Sequence, residues 1–585
     1  MFFDSVNGPV ANAIRAALAG LWIEVPSIKI DTARRGMGDV AFCAIPVASA
    51  RGILPQVLAT QLAERLADSV VIESATAVNG FVNIKLRPAH LFAEAIQLMQ
   101  EKTVTTTSPE RIIVEYWSPN TNKPLHLGHL RNGSLGAAVA NLLEARGHTV
   151  MRANLINDRG IHICKSMLAY QKFGEGSTPE SMGMKGDHFV GMWYVRFDTE
   201  EKKEDKPNPK TKSKLLLEAE EMLLKWEQGD LEVWALWQKM NAWVYKGFEA
   251  TMTRFGSGSA YMYYESDLYT SGKDIVERGV ASKHFYVSGD GATLFDLPKE
   301  WGTNKNGQKR VQKLLNPDGT SLYMTQDLGT AVKKANDFAP IDRSIYVVAS
   351  EQDNHFKVLF EILRRLGYSW AEKCHHLSYG MVELPEGRMK SRQGTVVDAD
   401  DLIDHMTKLA CEPVRERMPE LSEVESMRRG EVIALAAIKF YLLRVRNQSK
   451  ILFDPKQSLS FVGDTGPYCL YTYARTKSLL ARAESAGITP ASAFSRLGTD
   501  AERAVALELC LLPLTIEKAA EGYAPAPLAE RMLSLAGAFN HFYMDHPVLS
   551  EDVLLTEERV ALVAACAEGL SWGLSLLGIE VLEQM

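Results

Sequence analysis

At 585 residues the chain is too long for a single hydrophobic core and is expected to divide into roughly three or four domains. Hydrophobic residues at 46% and charged residues at 23% match an ordinary soluble globular protein and exclude disordered or fibrous classes. The net charge of −7 argues against nucleic-acid binding by the surface as a whole, while leaving room for a local basic face.

The seven cysteines (Cys43, Cys164, Cys374, Cys411, Cys469, Cys510 and Cys566) are scattered, with no CxxC pair. Such a set reads as reduced thiols, neither a disulfide framework nor a structural zinc site, and points to the cytoplasm. The opening segment carries Asp4 where a secretory signal needs positive charge, and Arg15 interrupts its apolar run. No apolar stretch reads as long enough to span a bilayer, so no membrane partner is expected.

In chain order, residues 1–108 mix a helical opening, a Gly-rich bend at 34–39, a helix at 54–66 and a strand at 80–86. This reads as an α+β domain, and the polar run 101–108 reads as a linker. A new unit opens at Arg111 with the apolar strand Ile112-Ile113-Val114. It passes through a turn-rich SPNTNKP into a helix from Leu127 to Ala145, then a strand at 149–156 and a helix at 161–173. This alternation predicts a parallel sheet. It is interrupted over about 174–320 by a charge run at 198–214, expected to be a solvated loop, and by two Trp- and Leu-rich helices at 214–227 and 231–255. The aromatics of those helices are expected to pack rather than bind. The sheet pattern resumes with a strand at 344–349, a helix at 356–366 and a strand at 375–382. From 409 to 585 helical periodicity dominates. The expected domains are therefore 1–108, 109–408 and 409–585.

The chemistry begins at His126-Leu127-Gly128-His129, placed where a strand turns into a helix. A helix N-terminus offers free N–H groups and the positive dipole end to a phosphate. Two imidazoles there can donate to phosphate oxygens as charge builds on them, and Gly128 lets a flat base approach the backbone. HxGH alone is a weak signal, and its junction placement is what gives it weight.

The segment 115–132, EYWSPNTNKPLHLGHLRN, resembles the HIGH signature of the class I aminoacyl-tRNA synthetases, in the form of the arginine-specific family. Resemblance continues through blocks at 150–163, 323–329, 346–355 and 379–402. It implies a Rossmann-like catalytic domain, an N-terminal domain at the outer corner of tRNA, and an all-helical anticodon-binding domain. The lysine loop of the class, KMSKS, is matched by Arg388-Met389-Lys390-Ser391-Arg392, where Ser391 stands in place of the usual second lysine. The resemblance implies that Lys123, just before HxGH, supplies that missing charge, and a lysine on this turn can reach the same phosphates. Met389, Lys390 and Ser391 then join His126, Gly128 and His129 around ATP, with magnesium accompanying the nucleotide.

A guanidinium cannot be deprotonated, so burying it requires permanent anionic partners. By resemblance, Asp327 and Glu265 face it with Tyr323 beside them, and Glu115, Asn120 and Gln352 hold the amino-acid end. In the tail, GPYCLYTYAR resembles the anticodon-binding helix. Tyr468 and Tyr471, three residues apart, share a helix face suited to stacking bases, although such a pair is more often core.

The resemblance implies an arginine–tRNA ligase that uses ATP to form arginyl-adenylate and charges the tRNA for arginine, as a monomer. Two rival readings are a small-molecule nucleotidyltransferase sharing HxGH and a catalytically silent, tRNA- or protein-binding relative. The first leaves the terminal domains without purpose. Intact Lys123, His126, His129 and Asp327 speak against the second.

Overall fold

The computed structural model describes residues 8–25, 28, 30–33, 37–204, 212–259, 261–303, 307, 309–384 and 397–585. Residues 34–36 of the expected Gly-rich bend, part of the charge run, and Arg388 to Arg392 lie outside them. The chain forms two compact units, one of residues 1–105, 410–440 and 456–585, the other of 106–409 and 441–455.

The second unit is built on five parallel strands in the order Cys374–Tyr379, Arg343–Ala349, Arg111–Glu115, Thr149–Ile156, Tyr261–Tyr264. Ile112, Ile113 and Val114 are all buried, as a central strand covered on both faces requires. The Leu127–Ala145 helix beside the sheet is buried around almost its whole circumference. Its small residues permit that: the rings of Trp117 and Tyr116 lie where side chains on Gly133 and Gly136 would be, about 2.3 Å from an added Cβ. The Tyr323–Asp337 and Asp353–Arg365 helices complete the packing around a core of Leu328, Tyr346, Leu359 and Ile362.

Within the insertion, the Lys214–Glu227 and Leu231–Arg254 helices form as the periodicity predicts. Their aromatics pack: Trp226 and Trp234 stack at 5.3 Å, and Trp243 meets Phe189 edge-on. The charge run behaves differently from expectation. The Gly186–Lys203 helix takes in residues 198–203, which were expected in a loop. Glu200 pairs with Arg196 and Lys203 at helical spacing, and Glu201 accepts from Ser213, so these charges support a helix. The insertion also holds an antiparallel sheet of Tyr286–Val287, Thr293–Asp296 and Val311–Leu315.

The strand expected at 375–382 is two strands. A Cβ on Gly380 would lie only 2.4 Å from the Ser449 carbonyl oxygen, and the Gly380 amide donates to the Asn447 carbonyl at 2.9 Å. Val382–Glu383 then pairs with Ile451–Leu452, which explains why 441–455 belongs to this unit.

The first unit joins an antiparallel sheet, in the order Ile30–Thr32, Val40–Cys43, Phe81–Leu86, Ile72–Val78, to the tail helices. Arg503, on the Asp500–Glu521 helix, is buried and donates to Asp39 and to the Leu86 carbonyl. The N-terminal sheet and the tail helices thus pack together within one compact unit. The sequence reading also missed that the Val553–Leu576 helix has the length and hydropathy of a membrane span. It lies mostly buried among the other tail helices, the setting of a core helix.

Candidate active site

Ligands of open α/β sheets bind beyond the carboxyl ends of the strands. Glu115 closes the Arg111–Glu115 strand, Glu265 follows the Tyr261–Tyr264 strand, and Gln352 follows the Arg343–Ala349 strand. Leaving its strand at Glu115, the chain turns sharply. Trp117 and Ser118 both take left-handed backbone conformations, with φ of 72° and 45°. Such conformations cost of order 1–3 kcal/mol each and need external support. Asn132 accepts from the Trp117 amide and Asn154 from the Ser118 amide at 3.0 Å, and the Trp117 indole donates to the Ser257 carbonyl at 2.8 Å. Asn120 follows on the exposed side of this turn, in a bridge with Asn157.

The turn delivers His126 to the N-cap of the Leu127–Ala145 helix. His126 Nδ1 accepts from the Gly128 amide and His129 Nδ1 from the His126 amide, each at 3.1 Å, so the two imidazoles replace a Ser/Glu capping box. Their rings stand 3.8 Å apart. Burial, with Lys123 adding repulsion, pushes the His126 pKa down to about 3. Burial, His126 and Lys123 hold His129 well below its ordinary value. Both rings are therefore neutral at pH 7, and acceptance at Nδ1 leaves the proton on Nε2 of each. The Leu127, Gly128 and His129 amides at this helix start are already engaged, by Val397, His126 Nδ1 and the His126 carbonyl. The two Nε2–H donors and the half-buried Lys123 that couples to both rings are the groups left for an anion. Burial also lowers the Lys123 ammonium, which favours an anionic partner. Met389, Lys390 and Ser391 lie outside the described residues.

The second cluster lies around Glu265. A cavity of about 510 Å³ is lined by Arg159, Glu265, Tyr269, Tyr323 and Gln326, among others. Tyr323 is exposed at the first turn of its helix. Burial raises the Glu265 carboxyl to about 7; Arg159 opposes the shift, and Asp158 and Asp327 add to it. With its amide turned to satisfy both neighbours, Gln326 donates to Glu265 at 3.0 Å and accepts from Arg159 at 2.9 Å. Asp158 anchors the Glu265–Leu268 helix, accepting from the Ser266 amide and hydroxyl and from the Tyr245 hydroxyl. Asp327, one turn along from Tyr323, pairs with His355.

Glu115 is buried and its Oε2 is bound by Lys334, whose ammonium also lies 4.5 Å over the Tyr346 ring. Gln352 is exposed. The structure thus gathers Lys123, His126, Gly128 and His129 in one cluster, and Glu265 and Tyr323 in another with Asp327 close enough to couple to Glu265. The sequence reading missed Asn132, Arg159, Lys334 and His355. Asp158 and Arg159 follow the Thr149–Ile156 strand directly, and that position at a strand's carboxyl end was the available signal.

In the tail, Tyr468 and Tyr471 lie half-buried on the Gly466–Ser485 helix. Tyr471 sits between Arg475 at 4.8 Å and Arg417 at 5.6 Å, edge-on to Phe461. It is part packing residue and part open ring.

Comparison with known proteins gives three family matches along the chain. They are the arginyl tRNA synthetase N terminal domain over residues 9–86, the class I (R) tRNA synthetase catalytic domain over 93–454, and the DALR anticodon binding domain over 469–585. The arginine–tRNA ligase of Amoebophilus asiaticus is 41% identical, covering 98% of both chains. That of Porphyromonas gingivalis W83 is 41% identical over 99% of this chain and 100% of its own. Among solved structures, the Thermus thermophilus arginyl-tRNA synthetase matches with a TM-score of 0.81 at 29% identity, covering 98% of this chain and 99% of its own. The chain belongs to the arginine–tRNA ligase family of class I aminoacyl-tRNA synthetases.

Proposed function

We propose that the protein activates L-arginine with ATP and transfers it to the 3′-terminal adenosine of the tRNA for arginine. In the first step the arginine carboxylate attacks the α-phosphorus of ATP; the bond to the bridging oxygen breaks and pyrophosphate leaves. In the second, a ribose hydroxyl of the terminal adenosine attacks the adenylate carbonyl and AMP leaves. Neither step needs a protein nucleophile, so catalysis is positioning and charge stabilisation.

The observation that carries this reading is the paired cap of His126 and His129. Both rings are fixed through Nδ1 and present Nε2–H donors at a helix N-terminus. They serve the phosphates of ATP, with Gly128 under the adenine and Lys123 balancing charge. Met389, Lys390 and Ser391 are assigned to the same nucleotide by their place in the sequence motif alone. The side chains of Lys123, His126 and His129 are donors and cations, so magnesium would be held by nucleotide oxygens and not by a protein cage here.

Glu265, Asp327 and Tyr323 are assigned to the guanidinium, and Glu115, Asn120 and Gln352 to the amino-acid end. Tyr468 and Tyr471 are assigned to anticodon recognition. A cytoplasmic setting fits the seven free cysteines, and the protein is taken to act as a monomer. The test is arginine-dependent exchange of pyrophosphate into ATP, run with each of the twenty amino acids, with and without tRNA. Exchange with arginine alone among them, and only when tRNA is present, is the expected result. Because Ser391 leaves the lysine motif one charge short, strong exchange without tRNA would show that arginine activation here does not need tRNA.

A further inference from the structure

Away from the two clusters, Lys185, Asp187 and His188 at the start of the Gly186–Lys203 helix meet Thr251 of the Leu231–Arg254 helix and Asp398 and Asp400. The Lys185 ammonium lies 2.7 Å from Asp400 and 3.2 Å from Asp187, and it also donates to Thr251. His188 Nε2 stands 3.2 Å from Asp400 and 3.5 Å from Asp398. Thr251 donates to Asp400 at 3.1 Å, and Asp398 Oδ1 accepts from the amides of Asp400 and Asp401 at the head of the Ala399–Arg417 helix. Asp187, His188 and Asp400 have the spacing of a metal site, but Lys185 already brings a positive charge between two of these carboxylates. Burial disfavours a charge on His188, yet the three carboxylates outweigh it and raise its pKa to about 9, so the imidazole is a second internal cation.

The acidic segment held in this way leads straight to the phosphate cluster. Asp398 forms an antiparallel bridge with His126. The Leu127 amide donates to Val397 at 2.9 Å, and the Ala399 amide donates to Leu125 at 3.0 Å. The same Gly186–Lys203 helix supports the other side of the turn, where a Cβ on Gly191 would come within 2.8 Å of Pro124 and 3.5 Å of Lys123. Buried ion clusters contribute little net stability compared with apolar packing, so this one is better explained by what it holds in place.

We propose that Lys185 and His188 are positioning residues for adenylate formation, clamping Asp398 and Asp400 so that the Val397–Ala399 backbone fixes the His126 cap. The inference rests on His126 and His129 being the phosphate donors. Misplacing a reacting group by about 1 Å can cost on the order of 100-fold in rate. The experiment measures tRNA-supported pyrophosphate exchange in Lys185→Met, Lys185→Arg and His188→Gln, with KM for ATP and for arginine determined separately, and tRNA affinity alongside.

Lys185→Met and His188→Gln are expected to lower kcat about tenfold to 100-fold or raise KM for ATP to match. KM for arginine and tRNA affinity should stay within about twofold, and Lys185→Arg should recover most of the loss. Unchanged kcat and ATP KM would overturn the proposal, as would a parallel loss of arginine and tRNA binding, which marks general damage. Stoichiometric zinc or manganese binding by the wild type that His188→Gln abolishes would also overturn it in favour of a metal site. His129→Ala in the same assay separates the two layers. If it exchanges normally, the phosphate assignment fails; if it is defective while the clamp variants are normal, only the clamp fails.

Discussion

His355 Nε2 stands 2.5 Å from Asp327 Oδ2, joining two helices whose pairing residues are 28 positions apart in the chain. One carboxylate oxygen of Asp327 is thereby oriented by the protein, and the guanidinium contact proposed for Asp327 falls to the other. Lysine carries the charge of arginine without its planar fork, and citrulline has the shape without the charge. Sites built to hydrogen-bond a substrate group reject analogues lacking it by large factors. Arginine is therefore expected to be used at least 1,000-fold better than either, on the order set by such sites. Asp327→Asn should lose about 1.5–3 kcal/mol in kcat/KM for arginine, the worth of a hydrogen bond to a charged group at a half-buried carboxylate. His355→Ala should raise KM for arginine about tenfold, the loss of one charge-assisted hydrogen bond. Steady-state exchange kinetics with the three amino acids check all of this, and comparable use of lysine or citrulline would remove the arginine assignment.

The paired histidine cap separates stability from catalysis. His129→Ala should slow adenylate formation about 100- to 1,000-fold, as loss of one preorganised donor does, with tRNA affinity unchanged. His126→Ala should also cost about 1 kcal/mol of folding stability, since it deletes an N-cap acceptor. His126→Asn restores a capping acceptor, so its unfolding midpoint should return while exchange stays slow. Denaturant melts beside exchange rates would show whether the two effects part in this way.

Glu265 gives a pH dependence with a definite sign. Its carboxyl is raised to about 7, chiefly by burial. A bound guanidinium favours the carboxylate, so arginine binding below about pH 7 must expel a proton. Apparent arginine affinity is expected to fall as pH drops from 7, approaching tenfold per unit, and to level off above 7. Glu265→Gln should bind arginine more weakly and show no such slope. A wild-type KM for arginine that is flat between pH 6 and 8 would contradict the assignment of Glu265.

Tyr471 lies between the guanidiniums of Arg417 and Arg475, and its hydroxyl accepts from Arg475 at 3.2 Å. Tyr471→Phe keeps the ring and should leave tRNA affinity within about twofold, because stacking does not use the hydroxyl. Tyr471→Ala should weaken tRNA binding by about 1–3 kcal/mol and also lower stability, because two cation–π contacts are lost. If Tyr471→Ala lowers only stability, the ring is packing and the anticodon platform lies elsewhere on the tail.

Much of the fold was legible in the sequence because its cause is local. Ile112-Ile113-Val114 announces a strand buried on both faces, and the helices Ile161–Phe173 and Lys214–Glu227 follow their periodicity. Leu127–Ala145, buried nearly all round, is marked instead by the turn before it and Gly147 after it. HxGH marked the paired imidazole cap because a strand–turn–helix junction is itself a local pattern. The misread loop at 198–203 shows the limit: charge content suggested solvent, while the spacing of Arg196, Glu200 and Lys203 favoured helix. Only the tertiary structure decided which charges meet. Lys334 finds Glu115 from 219 residues away, Lys185 finds Asp400 from 215, and Arg503 finds Asp39 from 464, drawing the N-terminal sheet onto the tail helices. Pairs of this kind leave no period in the chain. Each forms because burying a charge without a partner costs far more than bringing a distant one to it.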